Sequence, residues 1–555
     1  MPTTEPALDP GPSEATRPEE PAEAVGPLLR GIAVIQALTD AGGTQSLSEL
    51  ARTVGLARSS LDRVLVSLEA LGYIHLRGRD AALAPRLMDL GNAFLSASRI
   101  PELLGPLAQE LSAHIDEVVT LTIAGPNGDY LAHKTDRPRR LALACRVGDR
   151  LPLDRCAGGA LIAATWDDSA WARYREGRDC TCGDRDARAC AERLRHRAEA
   201  AARDGYVLDD EWLEPGLIAV GIPVNGPDGS AACTANVLSF TSRHRTARDL
   251  ADAALPALER AAAAMESALR DAPAASASTA APDRSDAVAA IAARPGVLEA
   301  LVRGMTVMTA FTRGQAELTI ADAARATGLA RATVRRALIT LEHLGHITQH
   351  DGRYRLTTSV LTLGFPVLAR MSLARIAQPH LEELSARARH SASLAVLENE
   401  TEIMYVARAA TPTRLTTVQL HVGTRLPAYA TSLGRVLLAA RPDERSGQAI
   451  RAARPTPLTT RTVTDTDELI RILRDVRTAG YAIVDEELEV GLRSIAVPIR
   501  SHDGTTLAAV NIAMHIDNRT GRNAATDHLP DLLAAADAIH RDLLAFGPFG
   551  ELTTV

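Results

Sequence analysis

The chain carries nearly the same message twice, and that constrains its architecture more than any single motif. "ARSSLDRVLVSLEALGYI" (Ala57–Ile74) and "ARATVRRALITLEHLGHI" (Ala330–Ile347) share one length and one skeleton. Gly55 matches Gly328, Leu90-Gly91 matches Leu363-Gly364, and Pro106 matches Pro379, all 273 residues apart (331 − 58 for the leading arginines). Further on, "VGDRLP" (Val147–Pro152) matches "VGTRLP" (Val422–Pro427). "DEWLEPGLIAVGIPV" (Asp210–Val224) matches "DEELEVGLRSIAVPI" (Asp485–Ile499) at a spacing of 275 (491 − 216). A drift of two residues over a whole copy implies one ancestral unit of about 245 residues, duplicated. That is too long for a solenoid repeat and reads as a tandem fusion of complete proteins. Between the copies, "DAPAASASTAAPDRSDA" (Asp271–Ala287) has the small residues and prolines of a flexible linker.

The bulk properties narrow the class. With 555 residues the chain exceeds a single core and suggests roughly three to four domains. Hydrophobic residues at 46% and charged residues at 23% fit a soluble globular protein. No apolar run of about 18 residues is present, so no membrane span is expected. The start, "MPTTEPALDPGPSEATRPEEPAEA", is acidic and proline-rich. It lacks a secretion signal and reads as a disordered leader, which predicts a cytoplasmic protein. The net charge of −7 argues against a uniformly basic nucleic-acid binder but not against a local basic face. Lys134 is the sole lysine, so nearly all positive charge is arginine.

In copy two, "LTIADAARATGLARATVRRALITLEHLGHI" predicts helix, turn, helix. Thr319 or Asp322 can cap the first helix, and Gly328 suits a sharp turn. Val334, Leu338 and Leu341 form an inward stripe near the helical period. Arg331, Thr333, Arg335 and Arg336 lie mostly off that stripe. In a helix-turn-helix the start of the second helix enters the major groove, where arginine reads guanine edges or holds phosphates. "TQHDGRYRLT" follows as two short strands around Asp351-Gly352, with Arg353 and Arg355 as a basic wing. Copy one repeats the plan: Arg58, Ser59, Ser60 and Arg63 on the second helix, Arg77 and Arg79 on the wing. There Asp62 replaces Arg335, and its charge opposes phosphate. Copy one is therefore expected to bind DNA more weakly or to read a different half-site. The plain alternative is an amphipathic helix pair with ordinary surface arginines.

After each winged segment a helical stretch leads into strand-like runs; in copy two these are "SASLAVLEN", "EIMYVARA" and "RLTTVQL". Helix and strand mixing around an antiparallel sheet predicts an α+β domain. "LPAYATSLGRVLLA" (Leu426–Ala439) is a loop feeding a helix, with Thr431 and Ser432 as natural caps. Amides at such a start suit a carboxylate. Asp485 and Arg493 fall close to a strand edge. A pocket with one helix start, one Arg and a few polar groups fits a small organic acid. Capping, a solvated acidic loop and a surface ion pair are the plain alternatives for these residues.

Taken together, "GLARATVRRALITLEHLGHI", "VGTRLPAYATSLGRVLLA" and "GYAIVDEELEVGLRSIAVPI" resemble the IclR family of bacterial transcriptional regulators. The resemblance covers Pro27 to about Ala272 and Gly296 to about Phe549. It implies two copies of a winged helix-turn-helix plus a GAF-like effector-binding domain. The implied layout is residues 1–26 as leader, 27–92 and 293–365 as winged helix-turn-helices, 93–272 and 366–549 as effector-binding domains, and 273–292 as linker. By motif, the family's effector pocket implies Ser432, Leu433, Asp485, Ile495, Asn511 and Ala513 in copy two, beside Thr431 and Arg493. In copy one it implies Ala157, Gly158, Asp210, Val220, Asn236 and Leu238, beside Cys156. Copy one departs from the pattern: Ile218 stands for Arg493, Gly221 for Ala496 and Cys156 for Thr431. Its pocket is expected to bind a different ligand or none. Copy two resembles the regulators of the β-ketoadipate branch of aromatic catabolism, which implies effectors such as protocatechuate, 4-hydroxybenzoate or β-ketoadipate.

All six cysteines (Cys145, Cys156, Cys180, Cys182, Cys190, Cys233) lie in copy one. The C-x-C-x7-C run of Cys180, Cys182 and Cys190 departs from the paired C-x2-4-C spacing of zinc sites, so no metal or cofactor is assigned. No G-x-S-x-G elbow or P-loop is present, and no catalytic residue is assigned. The expected function is a DNA-binding transcriptional regulator whose operator binding is controlled by a small organic acid. The alternatives are a sensor acting through protein contacts with impaired DNA binding, or an enzyme on small acids. The two copies are expected to pair within one chain, with homodimer formation left open.

Overall fold

A computed structural model describes residues 21–125, 128–137, 143–175, 187–272, 285–311, 316–410, 420–515 and 526–546. Copy one opens with helix α1 (Gly26–Asp40), strand β1 (Thr44–Ser46), and helices α2 (Leu47–Val54) and α3 (Arg58–Ala70). Strands β2 (Ile74–Arg77) and β3 (Asp80–Leu83) complete a three-stranded wing with order β1-β3-β2. Helices α4 (Met88–Ser98) and α5 (Ile100–Ile115) lead to strands β4 (Val118–Gly125), β5 (Gly128–Lys134) and β6 (Arg150–Leu151). Then come α6 (Ala157–Ala163), α7 (Asp168–Arg175) and α8 (Ala187–Asp204). Strands β7 (Val207–Asp210), β8 (Leu217–Asn225) and β9 (Ala231–Phe240) follow, then α9 (Ala247–Asp271).

Copy two begins with α10 (Ser285–Ala292) and repeats the plan. Helix α11 (Glu299–Met308), β10 (Glu317–Leu318), α12 (Ile320–Thr327) and α13 (Arg331–His343) precede wing strands β11 (Ile347–His350) and β12 (Arg353–Leu356). Helices α14 (Phe365–Leu368) and α15 (Leu373–Ala388) lead to β13 (Ser391–Leu397), β14 (Glu402–Ala409) and β15 (Arg425–Pro427). Helices α16 (Ser432–Ala439), α17 (Asp443–Ala453) and α18 (Thr466–Ala479) come next. Strands β16 (Ala482–Asp485), β17 (Leu492–Arg500) and β18 (Thr506–His515) precede α19 (Leu529–Phe546). The architecture is the expected α+β duplication. The two large sheets have matching antiparallel orders, β6-β5-β4-β9-β8-β7 and β15-β14-β13-β18-β17-β16.

One expectation is modified. The end of the expected 273–292 linker is helical: "SDAVAAIA" is rich in alanine, carries Asp286 in its first turn and packs against α11. Residues 273–284, residues 1–20 of the leader and residues 414–419 of "RLTTVQL" lie outside the described residues.

Each large sheet is covered on both faces. One face of copy one packs against α5 and α9, and the same face of copy two against α15 and α19. The other face packs against α6 in copy one and α16 in copy two. The first set of faces merges with both small domains into one continuous hydrophobic core running through the two copies.

The copies meet along α1 and α11 with internal two-fold logic. Leu301 fills the notch at Gly31, where an added Cβ would lie 2.3 Å from its Cδ1. Reciprocally, Leu28 fills the notch at Gly304, at 2.7 Å. The Val25 amide donates to Thr340 Oγ1 (2.9 Å) and the Leu298 amide to Ser67 Oγ (2.7 Å). Both Leu28 and Leu301 are fully buried, so neither has room to retreat. Gly31→Ala should therefore overpack the crossing and cost about 1–3 kcal/mol. The check is a lower urea midpoint; an unchanged midpoint would contradict this contact.

Candidate functional site

The two helix-turn-helix elements follow from local sequence. In copy two Thr319 and Asp322 form a capping box: Thr319 Oγ1 accepts from the Asp322 amide (3.2 Å), and Asp322 Oδ2 accepts from the Thr319 amide (3.2 Å). In copy one Ser46 accepts from the Glu49 amide (3.3 Å). Gly55 and Gly328 end the first helices at φ 65° and 67°, the left-handed region that glycine adopts without strain. The following helices bury Leu61, Val64, Leu65 and Leu68 in copy one, and Val334, Leu338 and Leu341 in copy two.

Arg58, Ser59, Ser60 and Arg63 on α3 are exposed, as are Arg331, Arg335 and Arg336 on α13, while Thr333 is half-buried. On the wings, Arg77, Arg79, Arg353 and Arg355 are exposed. The copy-two wing turns at Asp351 (φ 49°) and Gly352 (φ 75°), the pair of positive angles a tight two-residue hairpin needs.

Charge on the two recognition helices is partly neutralised in different ways. On α3, Arg58 pairs with Asp62 at 3.0 Å, one helical turn on. On α13 the position of Asp62 is Arg335, and Arg335 pairs with Glu23 from the segment before α1. Arg355 pairs with Glu317 on the wing. The Glu23 contact escaped sequence reasoning because it joins residues far apart in the chain through the α1–α11 crossing.

The candidate effector sites lie on the α6 and α16 faces of the sheets. In copy two Thr431 Oγ1 caps α16 by accepting from the Gly434 amide (3.0 Å). Ser432 Oγ meets Ser494 Oγ of β17 at 2.8 Å. Asn511 is buried on β18, and its Oδ1 has no partner among the described residues. Leu433, Ala395, Ala496 and Ala509 supply apolar surface on this face, and Ala513 shares its strand parity with Asn511. Arg435 and Glu487 brace the site. The guanidinium donates to both carboxylate oxygens (2.7 and 2.6 Å) and to the Tyr429 carbonyl (2.9 Å). Neither residue nor Ser494 stood out in the sequence. Arg435 sits inside a regular helix pattern, and Glu487 inside an acidic run.

Strand alternation corrects part of the expected set. Ile495 and Val220 point to the opposite face, into the core beneath α19 and α9. Ser494 and Ala219, one residue earlier, occupy the α16 and α6 faces. A one-residue slip exchanges every side chain between faces, and a motif match does not fix that register. Arg493 shares parity with Ile495, and its copy-one counterpart Ile218 lies in the same core. Arg493 Nε donates to Asp485 Oδ1 (2.8 Å), and Arg461 reaches the other oxygen (3.1 Å). Asp210 accepts from the Ala247 amide at the start of α9 (2.8 Å). Asp485, Arg493 and Asp210 are thus held in sheet-end contacts.

In copy one Cys156, Ala157, Gly158 and Asn236 do come together, with Leu238 on the same face. They meet Thr122, Asp129 and Thr234, which sequence reasoning did not select. Cys156 Sγ accepts from the Gly159 amide (3.2 Å), the role Thr431 has in copy two. Burial pushes the Cys156 thiol well up and the Cys233 thiol up to about 12, so both are inert thiols at neutral pH. Cys180 and Cys182 lie outside the described residues; Cys190 is buried on α8 beside Arg193 (3.0 Å). Among the described residues, no group of three or more His, Cys, Asp or Glu could hold a metal ion. No helix of the described residues is long and apolar enough to cross a membrane.

Comparison with known proteins matches these elements twice. The IclR helix-turn-helix domain matches residues 27–78 and 300–351. The family described as "Bacterial transcriptional regulator IclR C-terminal" matches residues 92–267 and 365–541. The Pca regulon regulatory protein of Pseudomonas putida is 43% identical over 248 residues, covering 44% of this chain and 85% of that protein. The p-hydroxybenzoate hydroxylase transcriptional activator of Acinetobacter baylyi is 34% identical over 237 residues, covering 42% and 87%. Among solved structures, a protein from Rhodococcus sp. RHA1 is 43% identical, covering 44% of this chain and 98% of that one, with a TM-score of 0.43.

The two recognition helices yield a prediction of sign. Arg331→Ala with Arg335→Ala should abolish operator binding, and Glu23→Gln should strengthen it by freeing Arg335. The Glu23–Arg335 pair is about half exposed on both sides, so its removal is worth about 0–1 kcal/mol, or up to about fivefold in affinity. Gel-shift titration at low salt checks both; weaker binding by Glu23→Gln would reverse the assignment.

Proposed function

The chain belongs to the IclR family of DNA-binding transcriptional regulators, and from that premise we propose that a small organic acid of aromatic catabolism controls its operator binding. It is a regulator and not an enzyme. The observation that carries the acid reading is the α16 face of copy two. Buried hydroxyls of Ser432 and Ser494 and the amide of Asn511 stand in an apolar floor. Two hydroxyls and one amide orient a small ring bearing oxygen groups, and the first turn of α16 favours its negative end. Two relatives whose names refer to the Pca regulon and to p-hydroxybenzoate hydroxylase support a protocatechuate- or hydroxybenzoate-type effector.

In this reading the two recognition helices of one chain serve as the pair that reads two half-sites. Tandem fusion holds them at high effective concentration. Effector binding changes the relative set of the two DNA-binding domains, which is a coupling between separate sites. Copy two is the stronger DNA reader because α13 carries Arg335 where α3 carries Asp62. The boundaries at 92/93 and 365/366 separate the DNA-binding parts from the effector-binding parts.

A second reading, a sensor acting through protein contacts, is favoured by the ion pairs that occupy Arg58 and Arg335. A gel-shift on DNA flanking the protein's own gene, with and without 4-hydroxybenzoate and protocatechuate, separates the two. A specific shift that responds to one acid is the expected result. No specific shift under any condition would favour the sensor.

A further inference from the structure

The α6 face of copy one is built of different chemistry from the α16 face of copy two, although the strands correspond residue for residue. Thr122 pairs with Thr234 where Ala395 pairs with Ala509 in copy two. Asp129 stands opposite Leu151 where Ile403 stands opposite Leu426. Three apolar positions have become one acid and two hydroxyls.

The acid is wholly enclosed. Asp129 has no exposed surface. The Cys156 thiol points at its Oδ2 (3.9 Å), the Thr122 hydroxyl also bonds the carboxyl, and its Oδ1 has no partner among the described residues. Asn236 donates through Nδ2 to Thr234 (3.2 Å) and Thr122 (3.4 Å), while its Oδ1 is likewise unpartnered. The two threonine hydroxyls are bonded to each other at 2.5 Å. The nearby cation, Arg197, is spent on the carbonyls of Asp154 and Cys156.

The backbone is cut to fit these polar heads. A Cβ on Gly158 would lie 2.0 Å from Asp129 Oδ2 and 2.8 Å from Thr234 Oγ1. A Cβ on Gly221 would lie 2.3 Å from Asn236 Oδ1. Copy two has Leu433 and Ala496 at those places. Asp129, Thr122, Thr234, Gly158 and Gly221 thus differ from copy two as one set.

Buried polar atoms in native folds are almost always satisfied, and the exceptions call for a functional cause. The Asn236 orphan has its counterpart in Asn511 Oδ1 of copy two; what copy one adds is Asp129, an enclosed carboxyl with no paired cation among the described residues. Burial raises the Asp129 carboxyl to about 7, because an enclosed carboxylate without a cation is costly to charge. A ligand carboxylate would add a second negative charge beside it; a ligand ammonium would supply the missing donors and charge.

We propose that the α6 face of copy one is a second ligand site, one that takes a small organic amine and excludes the acids assigned to copy two. This rests on reading these sheet faces as effector sites. The two copies would then report two chemically opposite ligands to one pair of recognition helices.

Isothermal titration of the full chain tests it with three probes that share one phenol ring: 4-hydroxybenzylamine, 4-hydroxybenzoate and neutral 4-methylphenol. At about pH 8 Asp129 carries its charge and the amine its proton. The expected result is one amine per chain, bound at least about tenfold more tightly than 4-methylphenol. Asp129→Asn, equal in shape, should remove that preference and leave acid binding unchanged. No amine binding by the wild-type chain, equal binding of amine and 4-methylphenol, or two acids per chain would overturn the proposal without need of a variant. Amine binding that depends on Asp129, with no acid bound anywhere, would keep this site and overturn the acid reading of copy two.

Discussion

The fold depends on two leucines seated in two glycine notches. Leu301 over Gly31 and Leu28 over Gly304 are the same contact made twice, once from each copy. A self-complementary patch of this kind ordinarily joins separate subunits of a dimer. Here both halves sit on one polypeptide, so the contact forms inside the molecule and needs no second chain. Everything that faces DNA follows from it. Helix α1 packs on α2 and α3, α11 packs on α13, and the two recognition helices are fixed relative to one another.

Below that crossing the copies are interlaced. The Phe365 ring, from the copy-two linking segment, lies against Gly91 and Gly148, both of copy one. Arg370 pairs with Asp149 (3.0 Å), and Asn92 donates to the Ala545 carbonyl (2.6 Å). His75, on the copy-one wing, meets the His380 ring edge-on at 6.2 Å, and His380 is bonded to Asp542 of α19 (2.7 Å). A copy-one DNA-binding element thus touches the copy-two helices that back its sheet. The sheet that carries the copy-two site on its α16 face is backed on its other face by α15 and α19, and these share one hydrophobic core with the small domains.

The duplication, the helix-turn-helix pair, the wings and the antiparallel sheets were all legible in the sequence. Each is set by local rules: a turn glycine, a cap three residues before its partner, an apolar stripe at helical period, two positive-φ residues in a hairpin. Tertiary placement set what was not legible. Ile495 and Ser494 are neighbours in a uniform apolar run, and only the sheet's register decides which one faces α16. Asp129 lies in an ordinary hydrophilic turn sequence, "GPNGDY"; only the β5–β6 pairing and the missing side chain at Gly158 bury it. Glu23 belongs to an acidic leader in composition, yet the α1–α11 crossing carries it to a recognition helix of the other copy. The expected linker became helix α10 at its end because alanine propensity combined with packing on α11 outweighed its compositional signature.

The central claim is that one chain is a complete reading unit. The direct measurement is the native mass of its complex with a two-half-site duplex, selected by the protein from a random pool. One chain of 58.9 kDa per duplex, with both half-sites protected, is the predicted result. Two chains per duplex, each engaged only through copy two, would contradict it.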